Sequence, residues 1–397
     1  MTTFPLVSLS LALLSFSVGA QQVYVVDAFN GAGAHFTDLP PALAAVNHGD
    51  TIMVRPGNYN PGTVDKGITI VPAKSMWPEI QTTPQQPMVI QNIPAGETFR
   101  MAGFSRWSAG AAGGYPFFVR VTNCSGEVYL QDLSPTEPTL SYPAMPTVEI
   151  TDCAYVGMNN CTAYASQGDA VRVTRSTVSM TNCQLGELAS IPCGGGVFAD
   201  SSTLYITEPL INSSYTSSPA IDLVNSVLTL TGTSNAYVQG GYDVIGGTMA
   251  QSQPAIAAQG GQIFIDPALP LNPFKTGPST IVGTATVTTK TIPGVFTRYS
   301  RLGGSLQVNH TAAPGAPMFA GISLAQAPAA SPFGPLWLDL NTTLLYASGT
   351  VCHCNEQFSA NIPLPLTIPP GTMVSLQGLA LINGQLSLTT GCAQILY

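Results

Sequence analysis

The side chains able to do chemistry in this 397-residue chain are few: 20 Asp plus Glu, 12 Lys plus Arg, four His and eight Cys. Carboxylates come first, because acid/base work on a glycosidic bond, or capture of a calcium ion, needs two or more of them converging. No two lie closer in sequence than Glu149 and Asp152, and the chain holds neither an Asp-Asp pair nor a Gly-His-Gly segment. A working couple would have to be assembled by the fold, for example Asp200 with Asp222 or Asp169, and nothing in the spacing singles such a pair out. The histidines, His35, His48, His310 and His353, lie toward the two ends of the chain. Cys352-His353-Cys354 carries zinc-ligand types, but structural zinc sites normally separate paired ligands by two or more residues. Alternate residues of a strand share a face, so Cys352 and Cys354 read better as including one partner for Cys392. There is no Gly-x-Ser-x-Gly elbow to raise a serine nucleophile. No catalytic residue, metal site or cofactor is assigned.

The elements that must position these groups are strands. A two-strand unit recurs through the middle of the chain: an apolar-x-apolar pair, a short turn and a second such pair. It appears as Val119, Val121, Val128, Leu130, then as Val148, Ile150, Val156, Met158, and then as Val171, Val173, Val178, Met180. Further copies are Val197, Ala199, Leu204, Ile206, then Ile221, Leu223, Leu228, Leu230, and Ile256, Ala258, Ile263, Ile265. Unit starts are spaced 29, 23, 26, 24 and 35 residues, a period that means a solenoid. Alternation of period 2 within each unit buries one face of every strand in a shared interior. No helix-period segment separates the units, which disfavours leucine-rich and βαβ repeats, and they are too short for propeller blades.

Stacking the units turns sequence spacing into surface geometry, with equivalent residues about 4.8 Å apart. The outward position of the first strand reads Arg120, Glu149, Arg172, Phe198, Asp222, Ala257. That row is either a solvated ion-pair ladder or a polar shelf that hydrogen-bonds a sugar chain lying along the coil. The second strand's outward row carries Tyr129, Tyr205 and Phe264, on whose faces sugars could stack, interrupted by Gly157, Ser179 and Thr229. The candidate ligand-binding residues are therefore Arg120, Glu149, Arg172, Tyr205 and Asp222.

Composition agrees. Charge is scarce against 39 Gly and 33 Pro, which suits stacked strands and tight turns better than helices with charged outer faces. A hydrophobic content of 45% argues against disorder. A net charge of -8, with no Lys between Lys74 and Lys275, disfavours nucleic acid and strongly anionic polymers as partners. Leu6 to Val18 is apolar and Val18-Gly19-Ala20 reads as a cleavage site, so residues 1–20 are expected to be a signal peptide, although no Lys or Arg precedes the run. No later stretch is long enough for a membrane span. The expected location is secreted or extracytoplasmic.

Toward the N-terminus the order is Val23-Tyr24-Val25-Val26, a short helix with Leu39, Ala42, Leu43 and Val46 on one face, Gly49-Asp50-Thr51-Ile52 and Val54-Arg55-Pro56-Gly57-Asn58-Tyr59. This stretch, residues 23–72, resembles the opening of pectin-lyase-like right-handed parallel β-helix proteins. In that superfamily the helix caps the open end of the coil. The superfamily's acid/base and calcium-binding residues match no position here. Beyond about residue 275 the pattern changes to Thr/Val-rich strands and Pro-rich joints, with strand candidates at 280–291, 336–340, 344–347, 374–382 and 386–389. Strands so spaced read as a small antiparallel β-sandwich, and the layout resembles a C-terminal module of uncharacterised secreted bacterial β-helix proteins, which implies no activity. The expected organisation is all-β: signal peptide 1–20, right-handed parallel β-helix 21–275 with its capping helix, and C-terminal β domain 276–397.

Cysteines in an exported chain point to disulfides. Cys124 and Cys153 follow their units' first apolar residue by five positions, and Cys161 and Cys183 follow theirs by thirteen and twelve. Stacking would then bring each pair within bridging range, giving Cys124–Cys153 and Cys161–Cys183. A ladder of reduced, buried thiols, or local bridges Cys153–Cys161 and Cys183–Cys193, are the alternatives. The sequons at Asn123, Asn160, Asn212, Asn309 and Asn341 are permissive signals only. The functional expectation is an exported β-helix without a catalytic site that binds a polysaccharide or cell-surface glycan, or serves as an envelope or matrix component. The alternative is a polysaccharide lyase or glycoside hydrolase with a site assembled across rungs. A phage-like adhesin would need a trimerising segment, and there is no heptad run for one.

Overall fold

The computed structural model describes residues 21–397 apart from 74–77, 83–85, 105–117, 135–144, 166–167, 188–194, 214–217, 246–247, 252, 274–279, 299–303, 330, 333–334, 353–355 and 366. The protein is a parallel β-solenoid followed by antiparallel sheets, with one helix among the described residues. An eleven-stranded and a nine-stranded parallel sheet form two walls of the coil, and a four-stranded sheet forms part of a third.

All six predicted units form. Val119–Thr122, Val148–Thr151, Val171–Thr174, Val197–Asp200, Ile221–Val224 and Ile256–Gln259 are successive strands of the nine-stranded wall, in unbroken register. Their partners in the eleven-stranded wall run from Glu127–Gln131 to Gln262–Ile265. Val121, Val173 and Leu223 are 0% exposed and Ile265 6%, and all four belong to one continuous core cluster. The third wall, Thr162–Ala165, Gln184–Glu187, Leu210–Asn212 and Tyr237–Gln239, goes beyond the two-strand unit read from sequence. Its inward residues, such as Ala163, Leu185, Ile211 and Val238, are too few per strand to make a repeat signal.

Corners are made by residues in the left-handed region. Asn92, Asn123, Asp152, Arg175, Ser201 and Asn225, with φ between 45° and 56°, turn the chain from the nine-stranded to the eleven-stranded wall on successive rungs. Asp132, Asn160, Asn182 and Glu208 do the same at the next corner, with φ between 49° and 52°. Asn and Asp tolerate this conformation because their short polar side chains bond locally.

Helix α1 (Leu39–Ala45) forms as expected and lies against the first strand, Val23–Val26, and Thr63–Val64. Asp38 accepts the Leu39 N–H at 2.8 Å as N-cap, and Lys66 Nζ donates to the carbonyls of Leu43 and Val46 at 3.2 and 2.8 Å, satisfying the other end. Leu39, Ala42, Leu43 and Val46 are buried, so the helix closes the apolar end of the coil. The far end carries no such lid among the described residues. Parallel pairing continues past residue 275 through Ile281–Gly283 and Thr286–Thr289, where Val282 and Val287 are exposed. The Thr/Val stretch that reads from sequence as the first strand region of the C-terminal part is thus the last rung of the coil.

The C-terminal part pairs Gly294–Arg298, Ser305–Thr311 and Gln357–Pro363 in one antiparallel sheet and six strands, among them Pro317–Ala329, Thr372–Ile382 and Cys392–Leu396, in a second. Val295, Leu306 and Val308 from the first sheet pack with Leu376, Cys392 and Leu396 from the second, which makes a sandwich core.

The thiols correct the expected staples. Cys124, Cys153, Cys161, Cys183 and Cys392 are free and buried. The rungs do stack as expected, since Thr122 partners Thr151 and Asn159 partners Thr181, two residues before each thiol. The thiols of Cys124 and Cys153 donate to the carbonyl two residues back at 3.3 Å, where Ser176, Ser202 and Ser226 on later rungs donate at 2.8, 2.7 and 2.8 Å. Here Cys occupies a small hydrogen-bonding niche that Ser fills elsewhere. The local bridges Cys153–Cys161 and Cys183–Cys193 are excluded in the same way. Cys352 is disulfide-bonded, but not to Cys392, whose thiol lies in the sandwich core beside Thr297. Residues Cys193, His353 and Cys354 fall outside the described ones.

Candidate functional site

The coil offers two broad outer faces, and the sandwich covers one of them. On the eleven-stranded wall, Gln131, Asn159, Thr181, Thr207 and Thr231 form one outward row, in register. Gln131 donates to the Ile395 carbonyl at 2.9 Å and accepts the Ile395 N–H at 2.5 Å, a strand-like pair made by a side chain. Asn159 Nδ2 reaches Gln394 Oε1 at 2.8 Å, Thr297 Oγ1 at 3.1 Å and the Ala393 carbonyl at 3.2 Å. Thr207 bonds Thr390 at 2.7 Å, and Thr231 donates to the Ile292 carbonyl at 2.5 Å. Trp337, 1% exposed, meets Tyr155 and Tyr205 edge-on at 5.6 and 6.1 Å between centroids.

This placement sets Tyr205 apart from the other four candidate ligand residues. Its ring stands on a different wall from the other four residues and packs on Trp337 of the sandwich. Tyr129 of the same row is buried in the same apolar cluster. The aromatic row reads as sugar-facing in sequence because the element that covers it lies more than a hundred residues away along the chain.

The remaining four residues do share one row on the nine-stranded wall. Arg120 partners Glu149, Glu149 partners Arg172, Arg172 partners Phe198 and Phe198 partners Asp222. All five side chains point outward, because their neighbours at i±1 are buried in the coil. Arg120 Nε donates to Glu149 Oε2 at 2.7 Å. Arg172 turns away from Glu149 and pairs with Asp169 Oδ2 through Nε and Nη2, at 3.1 and 2.8 Å. Its guanidinium lies 5.4 Å from the centroid of the Phe198 ring, a cation–π contact. At the adjoining corner Arg175 makes a bidentate pair with Asp152, at 2.6 and 2.7 Å, which holds the Asp152 carboxyl below its usual range.

Asp169 joins the site through its pair with Arg172. It precedes Val171 by two residues, and the register places Gly195 opposite it. A Cβ on Gly195 would lie 3.8 Å from Asp169 Oδ1. The Asp169 carboxylate acts on Asp222 through space. Burial, and then the Asp169 charge, push the Asp222 carboxyl above its usual value, while the Leu223 N–H pulls the other way. Asp169 is paired with Arg172, and among the described residues no ion pair is made by Asp222.

Chemically, the patch presents a guanidinium, an aromatic ring and the Asp222 carboxyl in one row, with the Asp169 carboxylate paired to the guanidinium at its side. Among the described residues no three His, Cys, Asp or Glu come together as a metal site, and no helix is long and apolar enough to cross a membrane.

No family model matches the chain. No curated protein matches it either. Among solved structures it is similar to full-length tailspike protein 2 of Escherichia coli O157:H7 bacteriophage CAB120, at 10% identity and a TM-score of 0.28, over 89% of this chain and 60% of that one. It is also similar to Geobacillus virus E2 ORF18, at 10% identity and a TM-score of 0.29, over 94% of this chain and 86% of that one. The chain therefore spans about three fifths of the tailspike's length. Likeness at this level bears on neither family nor function.

Proposed function

We propose that this is an exported β-helix of the pectin-lyase-like kind that binds a glycan along its nine-stranded face, without cleaving it. In this reading residues 1–20 are a signal peptide and the protein works outside the cytoplasm. Residues from 21 to the last rung are the binding coil, and the sandwich is a lid on the opposite wall. The observation that supports it is the outward row Arg120, Glu149, Arg172, Phe198 and Asp222, with Asp169 paired to Arg172. A sugar ring can stack on Phe198, and its hydroxyls can bridge Arg172 to the Asp169 and Asp222 carboxylates. Both charge signs alternate along the row, which suits a neutral or mixed polymer better than a polyanion.

A second reading is favoured by one observation. The Asp222 carboxyl is pushed above its usual value by burial and then by the Asp169 charge, and a raised carboxyl acting on a second one through space is a pattern from which acid and base roles can be divided. On that reading the same row hydrolyses the glycan it binds. A glycan array probed with the chain from Gln21 onward, followed by product analysis of every retained polymer, separates the two. Retention without new reducing ends supports binding alone. Chain cleavage lost in both Asp169→Asn and Asp222→Asn would replace it with the hydrolase reading, and retention of no glycan would remove both.

A further inference from the structure

Arg100 is a cation that the account above does not use. It lies on strand Thr98–Ala102 of the eleven-stranded wall and points outward between Thr69 and Tyr129 on the flanking strands. Both neighbours are 3% exposed. Thr69 is pressed by Gly371 of the sandwich, where a Cβ would fall 2.5 Å from the Thr69 methyl. Tyr129 shares an apolar cluster with Met373. The side chain therefore occupies the seam between coil and sandwich, under the turn that leads into strand Thr372–Ile382.

Within that seam its Nε is buried and has no hydrogen-bond partner. None of the ion pairs among the described residues involves it. The carboxylate that acts on it through space, Glu127, already accepts the Tyr129 hydroxyl at 2.8 Å. Burial pulls the guanidinium below its ordinary pKa, yet an arginine stays charged at any pH at which a protein is folded. A partly desolvated cation without a bonded counter-charge is costly, and the planar fork of a guanidinium matches an oxyanion edge to edge. Thr98, two residues away on the same outward face and half-buried, offers a hydroxyl beside it.

We propose that Arg100, with Thr98, forms an oxyanion-binding site at the seam between coil and sandwich, taking a carboxylate, sulfate or phosphate group. The occupant bonds the guanidinium, supplies the counter-charge the fold leaves out, and ties the first rungs of the coil to the sandwich. The site lies on a different wall from the glycan row and stands whether or not that row binds sugar.

Isothermal titration of the chain from Gln21 onward with sodium sulfate, at constant ionic strength in chloride, tests it. Competition with D-glucuronate asks whether the carboxylate of an acidic sugar also enters. The expected result is a saturable, one-site isotherm that Arg100→Met abolishes and Glu127→Gln tightens, because removing a neighbouring negative charge favours an anion. If Arg100→Met does not fold, Arg100→Lys decides: a point ammonium lacks the fork and should weaken binding about tenfold. No saturable heat in the unaltered protein, or the same isotherm in the Arg100 variant, would overturn the proposal. Sulfate binding without glucuronate competition supports the site with an inorganic ion as its occupant.

Discussion

The two broad outer faces of the coil are built on the same rungs and differ in what their outward side chains carry. On the eleven-stranded wall the row that meets the sandwich is neutral: Gln131, Asn159, Thr181, Thr207 and Thr231, beside Tyr129 and Tyr205. On the nine-stranded wall the corresponding row is charged: Arg120, Glu149, Arg172 and Asp222. Amides, hydroxyls and phenols can be buried once each finds a partner, whereas charge is expensive to bury even when paired. Residue type in an outward column therefore records whether that column is covered. Arg100 breaks this rule on the covered wall.

The comparison breaks first at Trp337. Its ring fills the contact with Tyr155 and Tyr205, so Trp337→Ala should cost about 3–5 kcal/mol, by the usual cost of emptying a buried aromatic site. Chemical denaturation followed by intrinsic fluorescence and by circular dichroism would measure it. A loss below about 1 kcal/mol would mean that the covered face is not an energetic interface.

Acid should act on the sandwich through His310, which is buried against Tyr346 and Phe358 and has its pKa pulled down to about 3 by desolvation. The unfolded chain takes up this proton near pH 6.5 and the folded one does not. Stability should thus fall as pH drops from about 6.5 toward about 3, by roughly 1.4 kcal/mol per unit. Thermal melts at pH 7 and pH 5, compared with those of His310→Gln, check it. Equal pH slopes in the two proteins would contradict the assignment.

On the open face the expected effects are small. Glu149→Ala removes a half-exposed ion pair and should change stability by about 1 kcal/mol or less. A larger loss would mean that the charged row is structural rather than solvent-facing. Smallest of all, Cys153→Ser should lie within about 0.5 kcal/mol of the parent in a reducing buffer, because Ser fills the equivalent niche on the next three rungs. A large loss would indicate that the stacked thiols hold the rungs together.

The coil was legible in the sequence because its signal is local. Val171 and Val173 alternate with outward Arg172 within three residues, and the unit recurs every 23 to 35 residues. The charged row followed from the same register. The covered face was not legible, since Gln131 meets Ile395 across more than two hundred residues and an isolated Tyr205 looks the same whether it faces sugar or Trp337. The left-handed corners were visible in part: Asn123, Asp152 and Asn225 are typical choices, but Arg175 and Ser201 at the same corner are not. The Cys ladder was placed correctly and its bonding was not, because stacking permits a disulfide without requiring one.

The difference between the two faces is tested most directly by one affinity comparison. With a glycan retained on the array, the dissociation constant is measured for the unaltered protein, Phe198→Ala and Tyr205→Ala. The open face predicts a loss of about tenfold or more for Phe198→Ala, the order of one lost stacking contact, and an unchanged constant for Tyr205→Ala. An affinity that depends on Tyr205 and ignores Phe198 would place the ligand on the wall that the sandwich covers, and would contradict the account.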